Sequence, residues 1–302
     1  MKYSYIYGFE GQDGKLLGNF FIKNSIPFIG ISKDKVILFE DEKKNNINNK
    51  ANLFVHFEPK SIFYFAAYHQ SSENIDDSNS KLFLEVNFIN FIDIVEKIKN
   101  INSKVPIIYA SSKLILGNSD NFTENLPSMP KCHYSYTKSL SRSYIEYNNT
   151  LNGTNIYNCI LFNHESKYRK KGFLLKKIHD YCISFVDSED KQLHINNSSS
   201  YINFCRANDF VLIMNELIST DKPGDYIFCN DEPIQIKDVV KIFFKHYGIP
   251  MSKLVDREIQ GNRAMNYFNA ENNKLKSVVN SSQLLTKSYQ TIIKELIDEI
   301  NL

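Results

Sequence analysis

Tyr134 and Lys138 are spaced Tyr-x-x-x-Lys at the opening of a predicted helix that runs on through Tyr136 to Asn149. A spacing of four puts both side chains on one helix face. An ammonium beside a phenol favours the phenolate, which would lower the tyrosine pKa towards a range useful for proton transfer at neutral pH. The same lysine could hydrogen-bond the ribose of a nicotinamide. In a chain with 18 tyrosines and many lysines the pair alone means little, and its weight comes from standing after a glycine turn and five strands. Ser111 and Ser112 end the fifth of those strands, 22 to 23 residues before Tyr134, where a hydroxyl could share a hydrogen bond to substrate. For either serine alone a strand-terminal turn explains the position nearly as well. The candidate catalytic set is Tyr134, Lys138 and Ser112.

Chemistry of this kind needs a cofactor cradle. Of only eleven glycines, Gly8, Gly11 and Gly14 fall at i, i+3 and i+6, directly after the apolar stretch Tyr3 to Tyr7. A dinucleotide site requires a tight strand-to-helix turn, a backbone bare enough to touch a pyrophosphate, and a helix N-terminus whose N–H groups face the anion. An ordinary glycine-containing turn is the alternative, and the position before the helix-like stretch Leu16 to Lys23 favours the cradle, with Gln12 and Asp13 inside it. The ribose signal belongs at the end of the second strand, Pro27 to Ile31, where Ser32, Lys33, Asp34 and Lys35 follow. Lys33 would offset a 2′-phosphate and points to NADP; Asp34 would accept from a free 2′-OH and keeps NAD open.

The elements that would position these residues alternate. Apolar runs at Tyr3 to Tyr7, Pro27 to Ile31, Val36 to Phe39, Ile62 to Ala66, Val105 to Ala110 and Ile156 to Phe162 are read as strands separated by crossover segments, the α/β doubly wound pattern. Lys81 to Lys99 reads as one helix, with Leu82, Val86, Ile89, Ile92 and Val95 on one face. The sheet is expected to be complete by about residue 163. Beyond it lie helical stretches at Phe173 to Ser184, Asn208 to Ile218, Ile236 to Tyr247 and from Tyr289, with a strand at Asp225 to Cys229. The expected division is a Rossmann-like domain over 1–163 and a smaller, mostly substrate-binding lobe over 164–302, with parts of about 203–230 returning to the first.

Composition bounds the partners. The 302 residues, 42% hydrophobic and 13% aromatic, suffice for a sizeable core. A net charge of +2 with no dense basic stripe argues against nucleic acid. Five cysteines without short paired spacing suggest neither a metal site nor a disulfide framework, so a reducing cytoplasm is the expected compartment. No apolar run approaches the roughly 18 residues needed to span a bilayer, and none is expected to do so.

With these residues assembled, the chain resembles the extended short-chain dehydrogenase/reductase family of NAD-dependent epimerases and dehydratases, and within it is most similar to the GDP-mannose 4,6-dehydratase subfamily. Gly11-Gln12-Asp13-Gly14 is similar to that subfamily's glycine loop, Phe65-Ala66-Ala67 to its strand-four motif, Asn87 to its mid-helix asparagine, and Ala110-Ser111-Ser112 to its active-site strand end. Pro127-x-x-Pro130-x-x-x-Tyr134 leads into the Tyr/Lys pair as in the family. The most specific segment is Ile160 to Ser166, with Asn163, His164 and Glu165 at its centre, continued by Arg169, Phe173, Lys176 and Lys177; Arg263 followed by Asn266 looks like the late arginine motif that holds a sugar-nucleotide diphosphate. The resemblance implies NAD(P)-dependent hydride transfer at C4 of a nucleoside-diphosphate sugar, GDP-linked, in polysaccharide biosynthesis, by a homodimer or higher homo-oligomer. It implies Ala66 and Ala67 beside the cofactor, and Asn163, Lys177 and Arg263 on the substrate.

The departures carry as much information. The family's Ser-Thr-Ser-Glu becomes Ser111, Ser112, Lys113 and Leu114, and the glutamate that removes the C5 proton in the family has no counterpart, because a leucine cannot exchange one. The loop after strand two, which joins subunits in the family, is shortened, which speaks against a tetramer. Where the family has Arg-Asp-Trp-Gly-His-Ala the chain has Ile202 to Ala207, which moves a possible substrate contact to Arg206. His69, just past strand four, could substitute for the missing acid or simply be a hydrogen-bonded loop histidine. A dehydratase is what the resemblance implies; a 4-ketoreductase or epimerase is what Leu114 allows, and a non-catalytic nucleotide-binding member is the alternative.

Overall fold

A computed structural model of the protein describes residues 1–40, 43–47, 53–69, 79–185, 191–257 and 266–300. Eight strands form one sheet: β1 (Lys2–Tyr7), β2 (Phe28–Ile31), β3 (Val36–Glu40), β4 (Lys43–Asn46), β5 (Glu58–Tyr64), β6 (Ile107–Ala110), β7 (Ile156–Leu161) and β10 (Gly224–Phe228); of the short strands outside it, β8 (Asn163–Glu165) and β9 (Phe204–Arg206) pair with each other. Their order is β10-β7-β6-β5-β1-β2-β3-β4. All of the pairings from β10 to β2 are parallel. Strands covered by helices on both faces read as continuous apolar runs, and β7, Ile-Tyr-Asn-Cys-Ile-Leu, is buried along its whole length. This is the expected α/β, Rossmann-like doubly wound sheet.

Two expectations about the sheet are corrected. It is not complete at residue 163, since β10 adds as an outer strand in register with β7, Phe228 beside Leu161. At the other edge the chain turns back instead of crossing over: β2, β3 and β4 form an antiparallel meander. Only Ser32 to Lys35 join β2 to β3, closed by Ser32 N–H on the Lys35 carbonyl at 2.9 Å. A parallel return needs a crossover of a dozen or more residues, so four residues permit only a hairpin.

The expected single helix at Lys81 to Lys99 is interrupted. It runs as α2 (Ser80–Leu84), a π turn at Glu85–Ile89, and α3 (Asn90–Asn102). The other helices used below are α1 (Gln12–Lys23), α4 (His133–Leu151), α5 (Leu174–Phe185), α6 (Ala207–Leu217), α7 (Ile236–Tyr247) and α8 (Tyr289–Ile300). On one face of the sheet Leu17 and Phe21 of α1 pack with Phe210 and Met214 of α6; on the other, Phe91 and Val95 of α3 pack with Ile145 of α4. A separate apolar cluster joins Ile178 of α5, Val240 and Phe243 of α7 and Ile293 of α8. At the join between β1 and α1 the Phe9 ring lies against Phe28 and Phe39, and Gly18 and Gly30 make the room for it: a Cβ at Gly30 would come within 2.7 Å of the ring. Among the described residues no helix is long and apolar enough to cross a membrane, the five cysteines are free thiols, and no cluster of His, Cys, Asp and Glu could hold a metal.

Candidate active site

The glycine turn joins β1 to α1 at the carboxyl edge of the sheet. Gly8 has φ +80°, and an added Cβ would lie 2.6 Å from the Ala66 nitrogen at the end of β5. A Cβ on Gly14 would overlap the Gly8 carbonyl oxygen and approach the Phe9 Cα to 2.6 Å. These two glycines are therefore demanded by the chain's own packing. Gly11 differs: its φ of −74° suits any residue, and a Cβ there would meet only the Gly8 oxygen, at 3.1 Å. It caps α1 without any side-chain bond to the first turn, whose N–H groups have no acceptor within the helix. A bare cradle of this sort at a helix N-terminus fits a dinucleotide pyrophosphate; Gly8, Gly11 and Gly14 would hold the group, and a nicotinamide bound there would supply or accept hydride.

Gln12 and Asp13 do more than open the helix. Gln12 Nε2 donates to the His164 carbonyl at 3.1 Å and its Oε1 accepts from Ser166 Oγ at 2.9 Å. Asp13 Oδ2 lies 3.2 Å from His164 Nε2, while His164 Nδ1 is 2.9 Å from the Phe162 carbonyl. Burial works against both charges of this pair, yet each outweighs it for the other: the carboxyl is held below its ordinary range and the imidazole above. The glycine turn is thereby fastened to β8, which carries Asn163.

The catalytic candidates converge beside it. α4 is capped by Cys132, whose sulfur and the Ser135 side chain form a reciprocal cap, and its first two turns carry Tyr134 and then Lys138 towards the end of β6. Lys138 Nζ donates to the Ala110 carbonyl at 2.7 Å and stands 4.4 Å over the Tyr109 ring and 5.9 Å from that of Tyr134. Ser112 hydrogen-bonds the Tyr134 side chain and accepts from Leu114 N–H at 3.3 Å. The expected effect of lysine on the phenol is overturned. Burial dominates and raises the Tyr134 pKa well above ordinary, with the Ser112 bond and Arg169 only partly offsetting it. Burial also brings the Lys138 ammonium down to about 7. In the protein alone Tyr134 is a protonated phenol.

The π turn explains how the lysine's platform is fixed. Widening the helix by one residue leaves carbonyls free of their usual partners, and the Val86 and Asn87 oxygens accept from Tyr64 and Tyr109 at 2.6 and 2.8 Å. Those two rings stack at 5.8 Å. The Asn87 side chain, wholly buried, accepts from Tyr68 N–H at 2.8 Å and donates to the Tyr68 carbonyl and to Thr137 Oγ1 of α4, each at 3.1 Å. It thus holds together the loop after β5 and the helix bearing Tyr134.

A cavity of about 600 Å³ opens over this cluster, a size suited to a small-molecule ligand. It is lined by Ser112, Tyr134, Lys138, Asn163, Asp13 and Ala67, and also by Arg169, Lys113 and His69, which the sequence named without assigning them to the cofactor or the substrate. The Arg169 guanidinium stacks 3.8 Å from the Phe173 ring centre and pairs with Glu165 at 3.2 Å. His69 stands edge-on to Tyr134, ring centres 4.6 Å apart, and its open surface faces the cavity; burial and nearby cations bring its pKa to about 4. The Arg169 motif was visible in sequence, but its placement against Tyr134 depends on the fold of 163–173.

Other expected residues lie elsewhere. Lys33 is exposed in the β2–β3 turn, and Ala66 lies behind Gly8. Lys177 is half-buried on α5, away from the cavity wall. Arg206 turns from the cavity and gives its guanidinium to Glu295 at 2.8 Å and Glu299 at 3.2 Å on α8. Arg263 is outside the described residues.

The model of the family described as GDP-mannose 4,6 dehydratase matches residues 5–283. The GDP-mannose 4,6 dehydratase of Drosophila melanogaster is 24% identical over 285 residues, covering 85% of this chain and 69% of that protein. Among solved structures, UDP-glucuronic acid 4-epimerase from Bacillus cereus, in complex with UDP-glucuronic acid and NAD, superposes with a TM-score of 0.79 at 16% identity, covering 100% of this chain and 99% of that one. RMD from Pseudomonas aeruginosa, complexed with NADPH, gives a TM-score of 0.78 at 13% identity, covering 100% of both chains.

Proposed function

The chain belongs to the GDP-mannose 4,6 dehydratase family, and we propose that it is an NAD(P)-dependent enzyme transferring hydride at C4 of a nucleoside-diphosphate sugar, GDP-linked. The observation that carries this reading is the meeting of Tyr134, Ser112 and Lys138 on one cavity wall, close to the bare glycine turn at the start of α1. Tyr134 gives a proton to the C4 oxygen as hydride arrives, or takes it as hydride leaves; Ser112 holds the same oxygen; Lys138 orients the ribose and supplies positive charge. In this reading residues 1–163 hold the cofactor and most of 164–302 the sugar nucleotide, with parts of 203–230 returning to the first. NADP is the preferred cofactor, on the strength of Lys33 at the end of β2, and the active species is a homodimer or larger homo-oligomer.

Leu114 leaves the family's elimination without its carboxylate, which favours reduction or epimerisation at C4 over dehydration. Incubation with GDP-mannose and other GDP-sugars plus NADP, read by mass spectrometry, tests this. A product changed by two hydrogens or an isobaric one supports it, loss of water returns the chain to dehydration, and silence on every substrate favours a nucleotide-binding protein without turnover. Competitive titration with NADH and NADPH tests the cofactor; a clear preference for NADH overturns that part.

A further inference from the structure

We propose that Lys113 is the group that moves the proton on the carbon next to C4, in the role for which Leu114 has no side chain; the proposal rests on the C4 chemistry proposed above. Lys113 follows Ser112 directly and opens the 3₁₀ turn Lys113–Leu116, which the Ser112 hydroxyl caps. It lines the same cavity as Tyr134 and Ser112. Leu114 lines it too, 40% exposed, but has no proton to exchange.

The amine is placed by aromatic rings. Lys113 Nζ lies 5.5 Å from the ring centre of Phe122, 5.7 Å from Phe162 and 5.5 Å from Phe268. Phe122 and Phe268 are buried, and Phe162 is buried at the cavity's edge. The three rings, of which Phe162 alone lines the cavity, act in two ways. They strip water from the amine, which brings the lysine to about 8, and the ring faces attract the ammonium and keep the head in one place. A lysine desolvated in this manner carries both protonation states near neutral pH, the condition for a base acting on a carbon acid.

The step balances within the cavity. Once C4 is a ketone, the hydrogen on the neighbouring carbon is acidic. The lone pair of neutral Nζ takes that proton, the carbon–hydrogen electron pair becomes the double bond of an enolate, and the carbonyl pair moves onto the C4 oxygen, where the Tyr134 and Ser112 hydroxyls donate to it. Return of a proton from the ammonium restores the ketone, so no oxidant or reductant is consumed. Among the described residues, Asp13, facing His164, and Glu165, facing Arg169, are the carboxylates on the cavity wall, and each is ion-paired there.

The test bypasses hydride transfer. A GDP-linked 4-keto-6-deoxyhexose is incubated in D2O without added nicotinamide, and deuterium at the carbons flanking C4 is followed by NMR and mass spectrometry. The unsubstituted protein is expected to exchange faster than buffer, and Lys113→Met and Lys113→Arg to lose about a hundredfold or more of that rate. Lys113→Arg keeps a cation over the rings, so it decides alone should Lys113→Met fail to fold. Exchange by a folded Lys113→Arg within about threefold of the parent, or a parent no faster than buffer, overturns the proposal. NADPH consumption with the same ketosugar reports C4 reduction separately: exchange without consumption upholds Lys113 and overturns reduction at C4, and consumption without exchange does the reverse.

Discussion

His164 Nε2 lies 3.2 Å from Asp13 Oδ2, a contact across 151 residues of chain that locks the first turn of the cofactor helix to the strand carrying Asn163. Any shift of the glycine turn is therefore felt at the far wall of the cavity, and the reverse. Gln12 reinforces the link through both ends of its amide.

The ion pair makes stability depend on pH in a defined direction. Asp13, its pKa lowered, contributes above the ordinary carboxylate value of 3.8, and the contribution is lost as pH falls through the lowered pKa. His164, its pKa raised, contributes fully below its ordinary 6.5, and that contribution is lost as pH rises through the raised pKa. His164→Asn should accordingly lower the melting temperature most between about pH 4 and pH 6.5, and the gap to the parent should shrink towards about pH 9. Melting curves across that range check this; a constant gap would show that packing of the ring, not its charge, is what matters.

The three glycines of the turn should separate into two classes. Gly8→Ala and Gly14→Ala force a Cβ against backbone and should each cost about 1 to 3 kcal/mol of stability. Gly11→Ala should cost less than about 1 kcal/mol but weaken NAD(P)H binding roughly tenfold or more, because it fills the cradle instead of the core. Chemical denaturation and fluorescence titration measure the two quantities independently.

Tyr134→Phe should keep the ring, its edge contact with His69 and the cofactor affinity, and lose about 10² to 10⁴ in turnover through the missing hydroxyl. Single-turnover measurement with a nucleotide sugar and NADPH is the check. Retention of most activity would place the proton donor elsewhere.

Arg206 distinguishes a structural cation from a substrate contact. Arg206→Met leaves Glu295 and Glu299 without their guanidinium and should cost about 1.5 to 3 kcal/mol of stability. KM for the nucleotide sugar should stay within about twofold of the parent. A large rise in KM with unchanged stability would restore Arg206 to the binding site.

Much of this was legible in the amino-acid sequence because it rests on local spacing. The glycine turn, the Tyr134/Lys138 pair on one helix face and the apolar parallel strands all follow from short-range pattern. The β2–β3 hairpin could have been inferred from the four residues available, but strand type alone does not state direction. The π turn was not legible: Glu85 to Ile89 keep helical periodicity, and the widening is set by tyrosine hydroxyls from β5 and β6. Nor was the setting of Lys113, whose three phenylalanines are scattered from 122 to 268 and meet only when the chain is folded. The Tyr134 pKa went the other way because spacing reveals a neighbouring charge and says nothing of lost water.

Phe9 occupies volume that two other positions have surrendered. A Cβ on Gly18 would come within 2.5 Å of its ring and one on Gly30 within 2.7 Å. The three sites share a single fixed space, so they are not free to drift separately. Sequences that diverge from this chain should exchange side-chain size among them, a smaller residue at position 9 accompanying larger ones at 18 or 30. A lineage that enlarges either glycine while keeping phenylalanine would have to move α1 relative to β2, and with it the start of the helix on which the cofactor cradle depends.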